Sequence, residues 1–108
     1  MTEAASSLAM SLEEPAEALG DVERVPHEGS IELRRAGRPF ARLDRDRASF
    51  RLDPVLVAAA IRTADTSRSP LGAEWVAFAP ATVDRFALDR AEAWLEAAWR
   101  RAGPAGRT

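Results

Sequence analysis

Between Ser30 and Leu52 the chain reads SIELRRAGRPFARLDRDRASFRL, three short runs of strand character joined by connections of a few residues. In SIELRR, Ile31 and Leu33 alternate with Glu32 and Arg34, the two-residue period of a strand with one face buried. Gly37 and Pro39 interrupt that run, FARL resumes it, and DRDR is a tight charged turn before ASFRL, which puts Ala48, Phe50 and Leu52 on one face. Parallel pairing needs a crossover of a dozen residues or more, and none of these connections is long enough. The stretch can fold only as an antiparallel meander, and the rest of the chain must be arranged around it.

The flanking segments read as helices and one further strand. In SLEEPAEALGDV, Ser11 followed by Glu14 is a capping-box pattern, Pro15 is tolerated near a helix start, and Gly20 is a natural stop, which predicts a helix at about Leu12 to Leu19. Asp53-Pro54 is an N-cap followed by a first-turn proline, so PVLVAAAIRTA is a second helix with Val55, Leu56, Ala59 and Ala60 inward. DTSRSPLG reads as loop, and EWVAFA, apolar on both faces, as a central strand ended by Pro80. Asp84 caps a last helix whose stripe is Leu88, Ala91, Leu95, Ala98, Trp99 and Ala102, with Gly103-Pro104 ending it. The order αβββαβα describes an α+β fold, a single two-layer domain with helices packed on one face of an antiparallel sheet. That domain is expected over residues 11–104, with residues 1–10 a flexible N-terminus and 105–108 a flexible C-terminus.

Composition removes several function classes. The chain of 108 residues has no cysteine, which excludes disulfides, thiolate metal ligands and a cysteine nucleophile. Its longest apolar run, Val55 to Ile61, is too short to cross a bilayer, and the N-terminus lacks the basic start of a secretory signal, so a cytoplasmic protein with no membrane partner is expected. His27 is the sole histidine, and neither a G-x-S-x-G motif nor a phosphate-cradling glycine loop occurs. The expectation is a non-enzyme without a cofactor. Glu13, Glu14, Glu17 and Asp21 place carboxylates side by side on the first helix, either a row that attracts a hard cation or a solvated face. Trp75 and Trp99 read as core, and Trp94 as a rim residue.

Charge is distributed unevenly. Residues 1–23 hold six acids and no base, whereas residues 24–51 hold eight arginines against four acids. Arg34, Arg42 and Arg51 lie opposite or between the apolar strand positions; Arg35, Arg38, Arg45 and Arg47 lie in or beside the turns. Clustered cations at hairpin tips suit contact with nucleic-acid phosphates. The other reading is a solvated sheet face. A pI near 5.4, the interleaved Asp44 and Asp46, and the lack of aromatics for base stacking favour that second reading on physical grounds alone. Lysine never occurs, a bias that GC-rich coding would produce, so the choice of arginine carries little information.

The motif order ALGDVERVPHEGSIELRRAGRPFARL, FRLDP, EWVAF and VDRFALDRAEAWLEAAWRRAGP, from Ala18 to Pro104, resembles the MmcQ/YjbR family of small bacterial proteins. Gly20 stands where that family often has proline, and GAEWV replaces its usual glycine-tryptophan pair. The resemblance implies a CyaY/frataxin-like fold and DNA binding through a double wing of β-hairpins. The implied wing residues are Arg34, Arg35, Arg38 and Arg42 around AGRP, with Arg45, Arg47 and Arg51 around DRDR. It equally implies, as an alternative, metal (iron) binding by an acidic ridge at Glu13, Glu14, Glu17 and Asp21. A domain that binds protein or a small molecule and no nucleic acid is the third possibility.

Overall fold

Six strands, all antiparallel, form one sheet in the order β1-β2-β3-β4-β6-β5 in a computed structural model that describes residues 7–103. The elements in chain order are α1 (Leu8–Leu19), β1 (Glu23–His27), β2 (Ser30–Arg35), β3 (Arg38–Asp44), β4 (Arg47–Arg51), α2 (Pro54–Ala60), β5 (Thr66–Arg68), β6 (Trp75–Phe78) and α3 (Arg85–Ala102). The expected α+β architecture is present, with two strands more than the alternation reveals. β1 is an edge strand that contains Pro26 and buries little, so it carries no two-residue pattern. β5 is a three-residue polar edge within the stretch expected to be loop. Edge strands bury too little to be selected for apolar alternation.

Cross-strand register separates the faces. Leu33, Ala41, Phe50 and Val76 form one row and Ile31, Leu43, Ala48 and Phe78 another, and both rows belong to the core beneath the helices. The row between them, Glu32, Arg42, Ser49 and Ala77, points to the opposite face, because successive residues of a strand alternate. A bulge between β2 and β3 disturbs this alternation: the pairing passes from Leu33–Ala41 to Arg34–Pro39 and skips Phe40. Phe40 and Ala41 consequently both reach the core.

α1 begins at Leu8 and not near Leu12. Ser7 accepts a hydrogen bond from the Met10 amide at 3.1 Å, and Leu8, fully buried, joins Leu12 and Ala16 in the core. The helix therefore accommodates Pro15 in its interior, and Leu8–Met10 belong to it; residues 1–6 and 104–108 lie outside the described residues. Asp53 and Asp84 cap α2 and α3 as their sequence positions imply. The tryptophans are ordered differently from expectation. Trp94 reaches the core edge-on to Phe78, with ring centroids 5.4 Å apart, and lies 6.2 Å from Phe50. Trp75 pairs across the sheet with Arg51 and is only half-buried, because it enters β6 at the strand's end.

Candidate functional site

The seven arginines singled out in the sequence divide by their partners. On the open sheet face Glu32, only 7% exposed, receives Arg34 through Nε and Arg42 through Nη2 at 2.8 Å. His27 Nε2 lies 3.5 Å from the same carboxylate. Burial disfavours charge on Glu32, but the hydrogen bonds from Arg42 and Arg34, with their positive charges, outweigh it and hold the carboxyl below its usual range. Arg34 and Arg42 are thus committed to an internal counter-ion. Arg35 is committed to α3: its guanidinium stacks 3.6 Å above the Trp99 ring and donates to the Trp99 carbonyl at 2.9 Å. Arg51 meets the Glu74 carboxylate at 3.0 Å.

Arg38, Arg45 and Arg47 are exposed and have no carboxylate partner among the described residues. They do not lie together. Arg38 follows the β2–β3 turn, whereas Arg45 and Arg47 belong to the β3–β4 turn at the other end of β3. Seven residues of strand separate the ends, roughly 20 Å at about 3.4 Å per residue. At the β3–β4 turn, Asp44 and Asp46 offset the two cations, and the Arg45 carbonyl accepts a hydrogen bond from the Ala9 amide at 2.9 Å, which ties the turn to the start of α1.

The β2–β3 end is different. β4 runs back toward it, α3 finishes over it, and Arg38, Arg51 and Arg101 line a cavity of about 180 Å³ with Phe40, Ala98 and Ala102 among its walls. Glu74, on the β5–β6 loop beside this cavity, bridges two of the three arginines, with Oε1 3.0 Å from Arg51 and Oε2 3.0 Å from Arg101. Hydrogen bonds from Arg101 and then Arg51 hold the Glu74 carboxyl below its usual range. The bulge at Phe40 helps build this site. By taking up one residue it restores Arg38 to the helix-covered side, where Arg35 also meets α3.

Arg101 and Glu74 were not among the residues that sequence patterning selects. Arg101 stands in the last turn of a helix, where a cation is expected for the dipole alone, and its partner Glu74 is 27 positions away. The Glu32–Arg34 pairing had a signal, since residues two apart on a strand share a face. The acidic row of α1 is partly committed: Glu13 pairs with Arg24 at 3.1 Å, and no group of three or more potential ligands gathers among the described residues. No family model, curated protein or solved structure matches the chain.

Proposed function

We propose that this chain is a small non-enzymatic domain of the MmcQ/YjbR type that binds nucleic acid through phosphate contacts, centred on the arginine-bearing β2–β3 hairpin. The observation that supports this reading most is the convergence of Arg38, Arg51 and Arg101 on one cavity, with Arg38 unpaired among the described residues. Phosphate binding needs clustered positive charge and positions the ligand without reading sequence. Arg34 and Arg42 support the sheet from its open face, where both are already paired with Glu32. Arg45 and Arg47 supply at most a second, weaker contact, because Asp44 and Asp46 stand beside them. Contacts of this kind give weak, sequence-tolerant and strongly salt-dependent binding.

Fluorescence anisotropy with a short labelled duplex tests the proposal. Binding at about 50 mM salt should weaken steeply as salt rises, with a log–log slope of about 0.9 per neutralised phosphate. Arg38→Ala should lower that slope by nearly one. The absence of duplex binding at low salt, where phosphate contacts are strongest, would overturn it.

A further inference from the structure

Resting on that phosphate-binding reading, we propose that the cavity lined by Arg38, Arg51 and Arg101 is a site for a phosphate monoester, as at the terminus of a nucleic-acid strand, and that the Glu74 carboxylate holds two of these arginines until such a dianion takes its place on them. Shape is the first ground. The three arginines line a concavity of about 180 Å³ backed by Phe40, Ala98 and Ala102, which suits a compact end group better than a continuous backbone. Phe40 and Ala98 are fully buried and Ala102 is 8% exposed, so the back of the cavity is apolar and strengthens electrostatic contacts inside it.

Geometry is the second ground. A single carboxylate already bridges two of the arginines, each oxygen 3.0 Å from its guanidinium. That spacing marks an oxyanion position, and a phosphate offers a further oxygen for Arg38, which has no carboxylate partner among the described residues. The Glu74 backbone is fixed by a 2.8 Å hydrogen bond from the Leu52 amide to its carbonyl, so release requires only that the side chain swing outward. Glu74 is 38% exposed at its side chain, which leaves it room to do so.

Charge is the third ground and selects the ligand. The arginines hold Glu74 ionised across the neutral range, so any incoming group competes with a tethered monoanion. An internal phosphodiester also carries one negative charge, so exchanging it for the carboxylate brings no charge surplus and backbone binding at this end stays weak. A monoester carries about −1.5 to −2 at pH 7 and gains both the charge surplus and the third arginine.

The test compares 5′-phosphorylated with 5′-hydroxyl blunt duplexes by anisotropy, and inorganic phosphate with chloride at matched ionic strength by thermal melting. The phosphorylated duplex should bind at least about tenfold more tightly, the effect of one charge-assisted contact. Arg101→Ala should erase that preference, and Glu74→Gln, which removes the competing charge, should raise affinity for the phosphorylated duplex. Inorganic phosphate should raise the melting temperature saturably, and less so in Arg101→Ala. Equal binding of the two duplexes would overturn the monoester site while leaving phosphate-backbone binding intact. Stabilisation by inorganic phosphate without binding of either duplex would keep the site and remove nucleic acid as its source of ligand. Silence in both assays would overturn both proposals.

Discussion

Glu32 carries one charge and faces two guanidiniums on the open face of the sheet, with His27 beside them. Replacing it by an isosteric amide leaves Arg34 and Arg42 without their counter-ion, and Arg42 Nε is already buried with no partner among the described residues. Glu32→Gln should therefore cost about 1.5–3 kcal/mol at pH 7 by urea unfolding, the range for hydrogen bonds to charged groups. The sign with pH follows from the lowered carboxyl. Its contribution is complete above the unfolded value near 4.5 and is lost as pH falls through the lower folded value, so the gap between variant and parent should close on acidification. A gap that stays constant to about pH 3 would mean that the ionised carboxylate is not what stabilises this cluster. The tryptophans give a second comparison. Trp94→Ala empties the space against Phe50 and Phe78 and should cost about 3–5 kcal/mol, whereas Trp75→Ala, at a half-buried strand end, should cost distinctly less. The reverse order in urea unfolding would contradict the assignment of faces. Sequence periodicity alone had placed Trp75 inside and Trp94 at the rim. A strand of four residues gives too little pattern to show which end of it reaches the core.

The hairpins show at the scale of elements what local sequence can and cannot convey. The meander was legible because its connections are too short for any other pairing. The bulge at Phe40 was not, since FARL reads as simple alternation until the partner strand's register is known. The β2–β3 loop consists of Ala36 and Gly37, with φ of 53° and 78°, the two positive values of a type I′ turn. Glycine adopts this conformation freely, but alanine does not. Ala36→Asn should accordingly stabilise the protein by up to roughly 1 kcal/mol, read as a higher urea midpoint. No gain would indicate that the turn is held from outside the hairpin. The two tips should also separate in binding. Arg38→Ala should remove about 0.9 from the salt slope, while Arg47→Ala, flanked by Asp46 and cross-strand from Asp44, should remove less. Equal losses would mean that both ends of β3 engage the duplex.

For the whole molecule, the charge bookkeeping of the sequence and the charge geometry of the structure differ. Eight arginines between residues 24 and 51 suggest one basic surface. The fold divides them among a Glu32 cluster on the open face, a stacked contact on Trp99, pairs of Arg24 with Glu13 and Arg51 with Glu74, and tips at opposite ends of β3. What remains concentrated is one end of the sheet, and it gains Arg101 from a helix far away in sequence. Such convergence depends on tertiary register, which is why the candidate site was only partly legible beforehand. The most direct test of phosphate binding at that end is an NMR titration following the arginine Nε–H resonances as duplex is added at about 50 mM salt, where phosphate contacts are least screened. The expected result is that Arg38, Arg51 and Arg101 shift together and saturate, while Arg34 and Arg42 hold their positions against Glu32. Unchanged resonances at all three, or shifts confined to Arg45 and Arg47, would contradict it.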